Sequence, residues 1–180
     1  MTVTVTSEIP DFLQKDIADD EDFNIYANGE MQYALKGVHS RVSVIWDYAA
    51  PQGGGDTHYS LMRGTLSNLV IRQGKAEDYI PMLFIEPAAG VVTDSWLQQV
   101  AAGFSSVEAM FPGVGLSKVE MGYVLDIPQS YRIGHEAHFA QVAAKYLRFL
   151  VEGKLPEWEV PNMLAKYYTT TKALHLAHEK

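Results

Sequence analysis

Residues 57–73 read Thr57-His58-Tyr59-Ser60-Leu61-Met62-Arg63-Gly64-Thr65-Leu66-Ser67-Asn68-Leu69-Val70-Ile71-Arg72-Gln73. Two runs rich in β-branched, aromatic and long apolar residues flank a short segment opened by glycine. Residues 57–63 and 68–73 are therefore predicted to pair as strands joined around Gly64-Thr65-Leu66-Ser67. A further strand is predicted over 80–86, closed by Pro87. Directly afterwards the period changes. Residues 95–110 place Trp96, Leu97, Val100, Ala101, Phe104 and Val107 on one helical stripe, with Thr93 or Asp94 as cap and Pro112-Gly113 as stop. Strands that come as hairpins, with helices gathered late, argue an α+β fold. The expected architecture is a large, mostly antiparallel open sheet with helices packed on one face, rather than a doubly wound parallel sheet.

The flanks extend this pattern. Upstream, 23–27 and 30–36 flank Asn28-Gly29, a strong hairpin signal because both turn positions need positive φ. Gly37 ends the second run. Residues 38–48 then alternate, with Val38, Val42, Val44, Trp46 and Tyr48 on one side and His39, Arg41, Ser43 and Asp47 on the other. Downstream, 116–127 alternate as a last strand. Residues 134–152 form a helix with Phe139, Val142, Tyr146, Phe149 and Leu150 inward and Gly153 as terminator. Pro161 suits the first position of a final helix whose inner stripe is Leu164, Tyr167, Tyr168, Thr171 and Leu174. One sheet face is left over, and a wide uncovered sheet meets another domain, another subunit or a ligand. Residues 1–22 read as a lead-in, with an acidic stretch over 16–22, and 23–180 as one domain.

Composition narrows the function classes. The 180 residues carry 14 Lys+Arg against 22 Asp+Glu, a net charge of −8, and no basic patch, so nucleic acid is not an expected partner. No apolar run approaches a membrane span, and the N-terminus has no basic n-region or long apolar core, so a cytoplasmic location is expected. The absence of cysteine excludes disulfides, thiolate metal sites and cysteine nucleophiles. There is no G-x-G-x-x-G opening a helix after a strand, no P-loop, no G-x-S-x-G and no H-E-x-x-H. The residues alone describe an α+β domain without a self-sufficient active site.

Several segments in fixed order carry a resemblance. They are Tyr26-Ala27-Asn28-Gly29-Glu30, Gly54-Gly55-Asp56-Thr57-His58-Tyr59-Ser60, Met62-Arg63-Gly64-Thr65, Leu69-Val70-Ile71-Arg72-Gln73-Gly74, Gly134-His135-Glu136-Ala137-His138-Phe139, and Lys166-Tyr167-Tyr168-Thr169-Thr170-Thr171-Lys172-Ala173-Leu174. Together they resemble the C-terminal domain of bacterial oxidoreductases of the glucose–fructose oxidoreductase, inositol dehydrogenase and MocA-like (Gfo/Idh/MocA) superfamily. The resemblance implies an N-terminal Rossmann domain holding NAD or NADP, and a C-terminal domain whose open sheet carries substrate contacts and a homo-oligomer interface. It implies sugars, polyols or related carbohydrates as substrates. The chain departs from the family in lacking the Rossmann half and the catalytic segment, so no catalytic residue and no cofactor-binding residue is carried over. This chain alone is expected to be inactive and to bind no cofactor. Alternatives are the C-terminal domain of an NAD-dependent glycosidase, or a stand-alone binding or scaffold protein that kept the fold and lost the chemistry.

The candidate substrate-binding residues are Asp56, His58, Arg132 and His135. Gly53-Gly54-Gly55 lets backbone approach a ligand, while Asp56 and His58 offer an acceptor and an imidazole for vicinal hydroxyls. The plainer reading is a flexible connection with Asp56 capping its own turn. Arg132 can take an acid group. His135 and His138 are i, i+3 neighbours beside Glu136, but no third metal ligand is evident, so no metal is expected. Arg63 and Arg72 read first as cross-strand ion-pair partners of Glu86, and second as carboxylate binders. The Tyr167-Tyr168 pair reads as core packing rather than a cofactor contact. His175 and His178 read as solvated groups at a helix end.

Overall fold

The computed structural model describes residues 9–18, 28–46, 52–89 and 93–179. The chain forms two compact units, one of Met1–Ala49 with Leu155–Lys180 and one of Ala50–Lys154. The fold is α+β, with wholly antiparallel sheets and three α-helices among the described residues.

In the first unit, β1 (Gly29–Leu35) and β2 (Val38–Val44) form a hairpin that is a two-stranded sheet of its own. Its turn is Lys36-Gly37, with φ of 49° and 81°. Two consecutive left-handed residues make the tight turn whose twist matches that of the strands. This corrects the expected turn at Asn28-Gly29. Gly29 is a strand residue paired with Val44, and the Asn28 side chain accepts a hydrogen bond from the Trp46 amide at the open end of the hairpin. Residues 23–27, predicted as its partner strand, lie outside the described residues, as do Asp47 and Tyr48.

The alternation of β2 holds. Val38 and Val42 face Leu35 and Met31, while Arg41 faces Gln32 and joins Glu30 in an ion pair. The final helix, α3 (Glu159–His178), carries Pro161 as its third residue. A first-turn amide has no intrahelical partner to lose, so proline is tolerated there too. The expected inner stripe of α3 is exposed, Tyr168 at 71%. Pro10-Asp11-Phe12-Leu13 enters a short 3-10 helix, Asp11–Asp16, with Phe12 exposed.

The second unit holds the core. Strands β3 (His58–Arg63), β4 (Ser67–Gln73), β5 (Met82–Pro87), β6 (Gly115–Val119) and β7 (Gly122–Asp126) form one sheet in the order β3-β4-β5-β7-β6. The alternating run predicted as one last strand is thus two. The chain reverses at Glu120-Met121, and Gly122, at φ 132°, begins the return. A Cβ on Gly122 would lie 2.2 Å from the Ile85 carbonyl oxygen, so only glycine lets β7 close on β5 here.

Helix α1 (Asp94–Met110) starts where expected, with the Thr93 hydroxyl accepting from the Trp96 amide at 3.2 Å. Trp96 anchors it on the sheet. The indole is 4% exposed, donates from Nε1 to Ser67 Oγ at 2.9 Å, and lies 6.0 Å from the Tyr123 ring. At the other end Phe111 meets Tyr131 edge-on, and the Tyr131 hydroxyl donates to the Pro112 carbonyl at 3.0 Å. Helix α2 (Gly134–Glu152) has its expected bounds and its Gly153 cap at φ 66°. Its expected inward stripe differs: α2 has no buried residue, and Phe139 is 64% exposed. The periodicity produces the apolar face, but no surface among the described residues of this unit covers it.

Candidate functional site

Strand register decides which candidate residues are neighbours. His58 pairs with Gln73, Arg72 with Met82, and Gly115 with Asp126. Together with the antiparallel β5–β7 pairing, this brings the start of β3, the end of β4, the start of β5, the end of β7 and the start of β6 to one end of the sheet. All four candidates belong to segments at that end. Asp56 lies two residues before His58, the first residue of β3; both are exposed. Arg132 and His135 follow β7 after the short 3-10 turn Gln129–Tyr131.

They do not form one cluster. Strands β4 and β5 separate β3 from β7, so the start of β3 and the end of β7 lie three strand spacings apart, roughly 14 Å. Asp56 and His58 make one group, Arg132 and His135 another. The glycine loop beside the first group has its own packing role: a Cβ on Gly55 would sit 3.3 Å from the Tyr79 Cβ. His135 packs its ring 5.2 Å from Phe139 at the start of α2.

Arg132 occupies the more developed position. It is half-buried and lines an open recess of about 290 Å³ with Met82, Gly113, Asp126 and Pro128. Asp126 was not singled out in the sequence, where it reads only as the polar end of an alternating run. Its carboxylate accepts from the Ser117 hydroxyl. Asp126 and Arg132 line the same recess but form no ion pair with each other. The site thus offers a fork of N–H donors and a separate carboxylate acceptor, flanked by apolar Met82 and Pro128.

A second cavity is chemically different. Between α1 and the sheet runs an apolar groove of about 790 Å³, lined by Leu69, Leu83, Ile85, Phe104, Val107 and Leu125 among others. Ser67 and Trp96 also line it, but their polar atoms satisfy each other. Gln99 and Tyr131 bring further polar groups to its wall.

On the sheet face away from α1, Arg72 reaches along the strands to Glu86 and passes its guanidinium 4.6 Å from the centre of the Phe84 ring. The cross-strand ion pair expected for Glu86 is therefore made by Arg72. Val70, which pairs with Phe84 in register, is 1% exposed. Arg63 faces Asn68 in register. The His175 imidazole Nε2 lies 2.9 Å from Glu179. Tyr167 and Tyr168 are exposed rather than packed in a core. Among the described residues no helix is long and apolar enough to cross a membrane, and no three His, Asp or Glu side chains gather as a metal site would require.

Residues 1–178 match the family described as "Putative oxidoreductase C terminal domain". The chain is also similar to a crystal structure, at 2.23 Å resolution, of a "putative oxidoreductase" from Parabacteroides merdae ATCC 43184. The identity is 53% and the TM-score 0.83, over 97% of this chain and 40% of that one. The chain thus spans well under half the length of that protein. No curated protein matches.

Proposed function

The chain belongs to the "Putative oxidoreductase C terminal domain" family, and from that premise we propose that it is the substrate-binding and oligomerisation domain of an NAD(P)-dependent oxidoreductase acting on a sugar, polyol or related carbohydrate. The observation that carries the reading is the 53% identity, over nearly the whole of this chain, to a protein described as a "putative oxidoreductase" whose larger part lies outside the match. The finer placement in the Gfo/Idh/MocA superfamily rests on the ordered segments from Tyr26 to Leu174.

The division of labour follows from the sheet. Dinucleotides bind at a switch point between parallel strands, where a helix N-terminus meets the pyrophosphate. The described sheets are antiparallel throughout, so the described residues do not fit that cofactor. A Rossmann domain elsewhere in the enzyme would hold the nicotinamide, which would supply the hydride chemistry. This chain's part is to hold and orient hydroxyl-bearing substrate at the sheet end that carries Asp56, His58, Arg132 and His135. The face away from α1, with exposed Tyr59 and Arg63 beside the Arg72–Glu86 pair, suits a polar, wet subunit interface.

The experiment uses the long protein that this reading proposes, in which a Rossmann domain accompanies the present chain. Purified with NAD+ or NADP+ and a panel of sugars and polyols, it is expected to reduce the nicotinamide with at least one of them. Calorimetric titration of the 180-residue chain with either nucleotide is expected to show no binding. Micromolar binding by the short chain, or a long protein inert with every carbohydrate, would overturn the reading.

A further inference from the structure

We propose that the recess at the end of β7 is a subsite for a hydroxycarboxylate, with Arg132 taking the acid group and Asp126 taking an adjacent hydroxyl. This deepens the carbohydrate reading and rests on it: the substrate would be a sugar acid or a related polyhydroxy acid.

Two half-buried arginines belong to this unit, Arg72 and Arg132, and they are in opposite conditions. Arg72 is engaged, paired with Glu86 and stacked on Phe84. Arg132 has neither an ion pair nor a hydrogen bond from its side chain among the described residues. A guanidinium with no protein partner, lining an open recess, keeps its donors available to an anion that enters. A planar fork of donors matches a carboxylate in bidentate geometry.

The rest of the recess selects among anions. Asp126 is the last residue of β7 and faces Gly115, which puts no side chain beside it. The Ser117 hydroxyl occupies only part of its accepting capacity, leaving lone pairs for a ligand hydroxyl. Its negative charge in the same small space opposes a phosphate dianion more strongly than a carboxylate monoanion. The whole chain, at −8, adds to that bias. Met82 and Pro128 provide the apolar surface against which the C–H face of a sugar ring packs, and about 290 Å³ has room for a single ring.

The test is titration of the 180-residue chain with D-glucuronate, D-glucose and D-glucose 6-phosphate, reading the methyl resonance of Met82. D-glucuronate is expected to bind on the order of tenfold tighter than D-glucose, about the worth of one charge-assisted bidentate contact. It should also bind more tightly than the phosphate ester. Arg132→Gln should erase the preference for the acid, and Arg132→Lys should keep only part of it. Asp126→Asn should weaken both unphosphorylated sugars alike. If Arg132→Gln does not fold, the Lys variant and the wild-type ratio still decide. Equal affinity for D-glucuronate and D-glucose, tighter binding of the phosphate ester, a preference that survives Arg132→Gln, or no response at Met82 would each overturn the subsite. None of these touches the broader reading, which turns on nicotinamide reduction by the long protein.

Discussion

Helices α1 and α2 belong to the same unit and carry the same kind of apolar stripe, yet only α1 spends its stripe on the sheet. Trp96 is buried against Ser67 and Tyr123, and Val100, Phe104 and Val107 line the groove below. No residue of α2 is buried. The difference teaches that a helical period establishes an apolar face and nothing about what that face meets. α1 is pinned at both ends, by Trp96 near its start and by the Phe111–Tyr131 contact beyond its end. No contact of that kind fastens α2 to the sheet among the described residues. α1 is therefore expected to contribute strongly to the stability of this unit and α2 little.

The sharpest way to break that comparison is to remove the anchor. Trp96→Ala is expected to cost about 3–5 kcal/mol of unfolding free energy, through lost burial and the cavity left behind. Trp96→Phe should cost clearly less, since it keeps a ring and loses mainly the Ser67 bond. Denaturant unfolding measures both. A loss under about 1 kcal/mol for the alanine variant would mean that α1 is not held as described.

Next in size is the cap of the same helix. Thr93→Ala leaves the Trp96 amide without its side-chain acceptor and is expected to cost about 1 kcal/mol, with Thr93→Ser restoring most of it. The matching change on α2 should do almost nothing to stability. Phe139→Ser, on an exposed stripe, is expected to shift unfolding by under about 0.5 kcal/mol. A cost of about 2 kcal/mol or more would show that α2 packs in solution and would erase the contrast.

The smallest effect lies in the hairpin of the other unit. The Arg41 hydrogen bond, followed by that of Gln32, holds the Glu30 carboxyl below the usual glutamate range. The Arg41 guanidinium is raised in turn by its hydrogen bond to Glu30. A folded-state value below the unfolded one stabilises above the unfolded value, and that contribution is lost as pH falls through the folded value. Both side chains are exposed, so salt should weaken the effect. Nuclear magnetic resonance titration is expected to find Glu30 low in the wild type and moved upward in Arg41→Gln. An unchanged titration in that variant would remove Arg41 as the cause.

What was legible in the sequence was local. The β3–β4 pair shows because alternation and Gly64 act within a few residues. The bounds of α1 and α2 show because Thr93 and Gly153 cap their own helices. Where two local signals compete, the sequence alone does not choose between them. Asn28-Gly29 and Lys36-Gly37 both suit a tight turn, and strand pairing selected the second. The break at Glu120-Met121 was hidden because alternation runs on across a tight reversal. The candidate residues were legible as types: an arginine and histidines beside a helix start, and an aspartate and a histidine after glycines.

Only the tertiary structure decided which of these residues are neighbours. Strand order put β4 and β5 between His58 and the recess around Arg132, and it brought Asp126 and Met82, unremarked in the sequence, to that recess. It also engaged Arg72 and left Arg132 open. The physical reason is range. Turn, cap and period are set by φ/ψ preferences and side chains a few positions apart. Register and strand order are set by pairings between distant segments, whose worth depends on what both faces of the finished sheet bury.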